Sequence, residues 1–284
     1  MKYCGRNFEQ FEIECIRNII AETPDLSRYR LSRIVCEQLN WRRPDGGLKD
    51  MSCRVALLRM QTDGLFKLPM AKRLKPTAYV EHPEIDNAAN PPLTIPEIDL
   101  ARLTVELVTE KPDSLLWNAY VRRYHYLGYQ LMAGAQLRYL VRADGVVVSL
   151  LSFSASAWKT KPRDEYIGWS PEQRQRNLHL VVNNSRFLVL PWIRCQNLAS
   201  RALALTSRRL SSDWQERYSY RPVLIETFVE DNRFHGTCYK AANWYCSGKT
   251  QGRGKLDCDQ RRALPIKSVW LYPLIANFRQ HLCK

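Results

Sequence analysis

The stretch Leu224–Lys255, LIETFVEDNRFHGTCYKAANWYCSGKTQGRGK, holds the densest chemistry of the chain. Val223 to Val229 is a run of β-branched and aromatic residues that ends at an acidic turn, Glu230 and Asp231, and so reads as a buried strand. A short helix follows, opening between Asn232 and Gly236 and running to Asn243, and the exit over 247–255 is rich in glycine, lysine and arginine. A carboxylate on the strand (Glu226), a phenol on the helix (Tyr239) and the cations Lys249, Arg253 and Lys255 are thus brought close in sequence. They form either a site or a well-packed strand and helix beside a basic loop.

Upstream, Leu137–Arg142 alternates, Ala143-Asp144-Gly145 turns and Val146–Phe153 returns, which predicts a hairpin. A polar excursion over 160–176 leads to strands at 179–182 and 187–193, separated by Asn183-Asn184-Ser185-Arg186. Leu198–Leu210 has helical amphipathicity and ends in Arg208 and Arg209, as the helix dipole favours. Ser268–Tyr272 is a last strand. Strands and helices in this order predict an α/β (α+β) sheet layered by helices. Before the hairpin, VRRYHYLGY (121–129) interleaves Arg122, Arg123 and His125 with tyrosines, a composition suited to binding phosphate and stacking on bases, or to ordinary packing. For His125 alone a structural hydrogen bond is the more common role than catalysis.

The N-terminal part has a different pattern. Residues 7–21 place Phe8, Phe11, Cys15 or Ile16, and Ile19 at helical spacing. A second helix starts after Ser27 as N-cap, and a third spans Lys49–Asp63 with Val55, Leu58 and Met51 turned inward and Gly64 at its C-terminus. Leu65–Pro69 is short and strand-like. Three helices and a small strand pair predict a winged helix-turn-helix over 1–75. Its third helix and approach carry Arg42, Arg43, Lys49, Arg54 and Arg59, residues that can meet phosphates or base edges. Prolines crowd 76–98, predicting a linker, and 99–284 forms the second domain.

The chain has 284 residues and a net charge of +15, from 43 basic against 28 acidic side chains, an excess that favours a polyanion partner. Its nine cysteines show no C-x-x-C pair and no zinc-finger spacing, so reduced thiols and no metal site are expected. No apolar run approaches the ~20 residues of a membrane span, and no signal pattern opens the chain, so a cytoplasmic location without membrane contact is expected.

Two segments resemble the GCN5-related N-acetyltransferase (GNAT) superfamily, in which a strand enters a helix through R/Q-x-x-G-x-G/A and a later helix carries Y-x-x-x-G-F. Here the runs are Arg194-Cys195-Gln196-Asn197-Leu198-Ala199 and Tyr239-Lys240-Ala241-Ala242-Asn243-Trp244, with asparagine in place of each glycine. Asparagine tolerates the left-handed backbone that glycine supplies, so the fold is expected to persist. A side chain at Asn197 would crowd a pyrophosphate, so acetyl-CoA is not the expected ligand. The segments LSRIVCEQLNWRRPDGGLKDMSCRVALLRM, YHYLGY, AWK, IGWSPEQRQRNLHLVVNNSRFLVLPW and ETFVEDNRFHGTCYKAANW resemble the DruA proteins, named for a component of Druantia anti-phage systems, with relatives beside mobile elements.

That resemblance implies a DNA-binding protein of phage defence or mobile-element biology, with other defence or mobile-element proteins as partners and homo-oligomerisation an open alternative. Asn183, Arg186 and Lys159 join the cations above as nucleic-acid contacts. A second reading is DNA strand cleavage or transfer, nuclease- or transposase-like, using Glu226 with Mg²⁺ or Tyr239 as nucleophile, with His125 in support. No D-x-D, H-x-H or H-x-x-H signature accompanies it. A third is an acetyl-CoA-dependent N-acetyltransferase with Tyr239 as general acid.

Overall fold

The computed structural model describes residues 1–44, 46–70, 89–92, 94, 97–132, 134–252 and 264–284. Most of the proline-rich stretch 76–98, and both Arg253 and Lys255, lie outside the described residues. The chain divides into two compact units, Met1–Val80 and Glu81–Lys284.

The first unit opens with a hairpin of β1 (Lys2–Tyr3) and β2 (Arg6–Asn7), followed by α1 (Gln10–Glu22), α2 (Arg28–Gln38) and α3 (Asp50–Thr62). Glu9 and Glu12 form a capping box at the start of α1, and the Ser27 side chain accepts from Arg30 N at the start of α2, so both helices begin where their caps dictate. The core gathers Phe8, Ile13, Ile16, Leu31, Val35, Trp41, Leu57 and Met60.

Three sequence expectations need correction here. Phe11 is 69% exposed while Ile13 is buried. On α3 the expected inward face (Met51, Val55, Leu58) is exposed, and Cys53, Ala56, Leu57 and Met60 are buried. Both α3 stripes have helical spacing. The one with small Cys53 and Ala56 lets the backbone approach α2, where Cys53 and Cys36 are buried in the same core. Finally, Leu65–Pro69 forms no strand: Leu68 N donates to the Gln61 side chain (2.9 Å) and the Leu65 and Pro69 carbonyls accept from Arg17 and Arg28. The pairing near α3 is instead a single bridge, Arg42–Leu48, before it. Among the described residues of the first unit, no strand pair follows the third helix.

The second unit runs β3 (Thr104–Leu107), α4 (Lys111–Tyr124), β4 (Gln136–Ala143), β5 (Val146–Ala155), α5 (Lys161–Ile167), α6 (Pro171–Asn177), β6 (Val181–Val189), α7 (Leu198–Tyr218), β7 (Leu224–Glu230), α8 (Thr237–Ala241), β8 (Tyr245–Lys249), β9 (Lys267–Pro273) and α9 (Phe278–Leu282). The seven strands form one mixed sheet in the order β3-β4-β5-β6-β7-β9-β8. All neighbours are antiparallel except β6 and β7, which are parallel, and α7 is the crossover helix that a parallel pair requires. This is the α/β arrangement expected for the second unit, a mixed sheet layered by helices.

The feature that positions the site is the short contact between β6 and β7. They pair only through Val181–Leu224, Val182–Ile225 and Asn183–Glu226, and then part. On its other side β6 is displaced by a bulge: Ser152 pairs with Arg186 and Phe153 with Asn184, leaving Ser185 over. The polar run 183–186 is therefore not a break between two strands but the middle of one. Asn184 Nδ2 donates to the carbonyls of Ser152 (3.0 Å) and Arg186 (3.2 Å), which holds a polar side chain inside the sheet.

Other elements differ from expectation for similar reasons. The excursion 160–176 folds as α5 and α6, each with proline in its first turn where its missing N–H costs nothing. Helix α7 continues past Arg209 to Tyr218, because Asp213 bonds Tyr139 of β4 (2.9 Å) and Trp214 is fully buried. Gly236, at φ +68°, precedes α8, and a Cβ there would lie 2.5 Å from the Trp270 ring, so the turn demands glycine.

Candidate functional site

Glu226 sits on β7 with no solvent exposure. Its Oε1 accepts from Ala157 N (2.8 Å) and its Oε2 from Arg163 Nη1 (3.0 Å). Arg163 is equally buried and also donates through Nη2 to Asp164 Oδ1 (2.8 Å), while Asp164 accepts in turn from Trp169 Nε1 and Arg174. Burial pushes the Glu226 carboxyl up, against the opposing pull of Arg163 and the Ala157 N–H. These contacts tie β7 to the 157–164 segment and leave both carboxylate oxygens engaged.

Tyr239 lies where β6 and β7 part. Its hydroxyl donates to Asn184 Oδ1 (2.9 Å), and Thr227 Oγ1 donates to the Asn184 carbonyl (2.9 Å). Its ring packs against Phe187, Trp244 and Trp270, and burial raises the phenol above its ordinary range. The gap is filled, and Tyr239, Thr227 and Asn184 are linked there by hydrogen bonds.

The expectation of left-handed asparagines holds: Asn197 and Asn243 both have φ +63°. They border a cavity of about 310 Å³ at the start of α7, which Arg201 and Arg208 also line. The Tyr239 hydroxyl does not open into this cavity as a free group: it is buried among aromatic rings and committed to Asn184. Among the described residues no three His, Cys, Asp or Glu side chains lie together so as to hold a metal ion.

At the mouth of the gap the segment after α4 meets the turn after β7. His125 is buried and accepts from Leu127 N through Nδ1 (3.2 Å), and its ring stacks on Tyr126 (4.9 Å between centroids). Tyr126 contacts Phe234 (5.4 Å), and the Arg233 guanidinium lies over the Tyr126 ring (5.3 Å), held by Glu230 (2.9 Å). Tyr126 and Phe234 are 39% and 48% exposed, so two large aromatic faces meet solvent beside an arginine. Arg186 packs behind them, donating to the carbonyls of Gly128 (3.3 Å) and Ser185 (2.7 Å). Burial and the charge of Arg186 push the His125 pKa down to about 4, so the imidazole is neutral at physiological pH.

The structure therefore gathers His125, Arg186 and Tyr239 near the β6–β7 gap and places Glu226 apart, on Arg163. Asn183 pairs with Glu226 in register, and its buried Oδ1 has no partner among the described residues. Lys159 is exposed after the 157–158 turn, and Lys249 pairs with Asp231 (2.8 Å) at the far edge on β8. Arg123 donates to Asn90 (2.5 Å), and Arg122 is partly buried on α4. In the first unit, Arg42 donates to Asn40 and Gly46, Arg54 pairs with Asp50 (3.3 Å) and covers Tyr29, Arg43 and Arg59 are exposed, and Lys49 caps α3. Sequence reasoning passed over Arg233, Phe234 and Arg138. An arginine and a bulky aromatic directly after the acidic turn, two residues before a glycine, are the signal that marks the first two.

No functionally curated protein matches the chain. Similar solved structures include the ribosomal-protein-S18-alanine N-acetyltransferase of Escherichia coli (9% identity, 60% of this chain and 94% of that chain, TM-score 0.37). FeeM, an N-acyl amino acid synthase from uncultured soil microbes, is similar at 10% identity over 63% of this chain and 94% of its own, with a TM-score of 0.39. No helix is long and apolar enough to cross a membrane among the described residues. A family model described as Druantia protein DruA matches residues 70–262, which is more than half of the chain and includes the β6–β7 gap and its mouth. The chain belongs to the DruA family.

Proposed function

We propose that this DruA protein is a nucleic-acid-binding component of an anti-phage defence system of the Druantia type or of a mobile element, and that a single strand lies across the mouth of the β6–β7 gap. The observation that carries this reading is the solvent-facing pair Tyr126 and Phe234 with Arg233 over the tyrosine ring. Every base has a π-face, so exposed aromatics beside a cation hold a strand without reading its sequence, at about 1–3 kcal/mol per stacked base. The charge of +15 supplies the phosphate attraction. Exposed Arg43 and Arg59 of the first unit are proposed as a second contact, with the three-helix unit gripping duplex as a helix-turn-helix variant.

Binding without strand cleavage is favoured. Glu226 would have to leave Arg163, or Tyr239 would have to leave Asn184, before either could act on a phosphodiester. The test is fluorescence anisotropy of a labelled single-stranded oligonucleotide at rising salt. Wild type is expected to bind with a steep salt slope, and Tyr126→Ala with Phe234→Ala is expected to weaken binding at least about tenfold. Salt-insensitive or absent binding, or a double variant that binds like wild type, would overturn the reading.

A further inference from the structure

A second cavity, of about 180 Å³, lies between α4 and strands β4, β5 and β6. Two arginines line it, Arg138 from β4 and Arg186 from β6, and no acidic side chain does so among the described residues. Arg138 donates to Asn118 Oδ1 (2.9 Å) and Ser114 Oγ (2.8 Å), and Arg186 to the Gly128 and Ser185 carbonyls. Every one of these acceptors is neutral. Arg186 is 8% exposed and Arg138 partly buried, so one guanidinium is largely and the other partly withdrawn from water, with no counter-charge among the described residues. Burial of cations in this way is costly unless an anion compensates them. Trp117, 3% exposed, lines the same cavity beneath Arg138, and its Nε1 is buried without an acceptor. Two cations thus border one small space.

We propose that this cavity receives a phosphomonoester, the terminal phosphate of a nucleic-acid strand. The inference rests on the reading that a strand lies at the mouth of the β6–β7 gap. Arg186 connects the two places, since it packs behind His125 and Tyr126 and also lines the cavity. The size decides against a whole nucleotide, because pockets that enclose drug-sized ligands start near ~300 Å³. Charge decides between phosphate types. A monoester carries about −1.5 to −2 at neutral pH, which matches two guanidiniums, whereas an internal diester carries a single charge and needs an exit for the chain on both sides. Planar guanidiniums suit phosphate oxygens through paired N–H donors.

The experiment compares three oligonucleotides of one sequence, bearing a 5′-phosphate, a 3′-phosphate or neither, by anisotropy, and titrates inorganic phosphate by calorimetry. One phosphorylated form is expected to bind at least about tenfold more tightly than the unphosphorylated one, with inorganic phosphate giving heat in wild type. Arg138→Met removes one cation. Asn118→Asp keeps the fold and the guanidinium but supplies the missing negative charge from the protein. Both are expected to erase the preference for a terminal phosphate while leaving affinity for the unphosphorylated strand unchanged. Equal binding of all three strands with no phosphate heat would overturn the proposal and leave nucleic-acid binding standing. A terminal-phosphate preference that survives Asn118→Asp would also overturn it, by placing the receptor elsewhere. Heat from inorganic phosphate with no binding of any strand would overturn the strand as its source, and with it the proposed function.

Discussion

Two buried arginines in one sheet have opposite surroundings. Arg163 is enclosed by carboxylates, with Glu226 at 3.0 Å and Asp164 at 2.8 Å. Arg186, almost as buried, donates to carbonyl oxygens, and Arg138 beside it to a serine and an asparagine over the Trp117 ring, with no carboxylate on either among the described residues. A buried charge with its partner inside the protein is complete, so the Glu226–Arg163 pair belongs to the framework. A buried charge without one is, on the proposal made above, open to a partner from outside. The most conspicuous carboxylate of the sequence is therefore tied into the architecture, and the proposed binding role falls to the arginines that lack one.

The largest expected effects break the complete pair. Glu226→Ala or Arg163→Met strands one buried charge and should cost about 3–5 kcal/mol, measured as a lower urea midpoint. Gly236→Ala comes next. It combines a left-handed φ with a Cβ 2.5 Å from Trp270, and should cost about 3 kcal/mol in the same assay while displacing Phe234 and weakening strand binding.

A smaller effect is the pH dependence that His125 confers. Its folded pKa of about 4 lies below the ordinary value near 6.5, so the unfolded chain takes up its proton first as the pH falls. Stability from this residue is present above pH 6.5 and lost on descent to about pH 4, by an amount on the order of 3 kcal/mol. Thermal melts of His125→Gln should lack that part of the slope. The smallest effect is expected from Arg138→Met, within about 1 kcal/mol of wild type, because no counter-charge is left behind. A loss as large as that of Arg163→Met would erase the contrast between the two arginines.

Much of the sheet was legible in the sequence. The hairpin of β4 and β5 declared itself through alternation and Asp144-Gly145, both at positive φ in the turn, and β7 lies within one residue of its expected span. The asparagines at 197 and 243 were readable as left-handed because few other residues fill that role. What misled was polarity inside structure. Asn183–Arg186 has the composition of a loop, yet the bulge and the Asn184 hydrogen bonds satisfy it within a strand. On α3, two apolar stripes of equal period gave no basis for choosing the buried one. The site was legible in part: His125, Arg186 and Tyr239 do converge, but whether a charge is compensated depends on partners distant in sequence. Glu226 and Arg163 are joined only by the fold, and Arg138 stood out by no local motif.

The most direct measurement is ultraviolet photocrosslinking of a single-stranded oligonucleotide to the whole protein, followed by mass spectrometry of the peptides. The prediction is that adducts concentrate on Tyr126 and Phe234 and disappear at high salt. Adducts confined to the first unit, or to surfaces away from the β6–β7 gap, would contradict it.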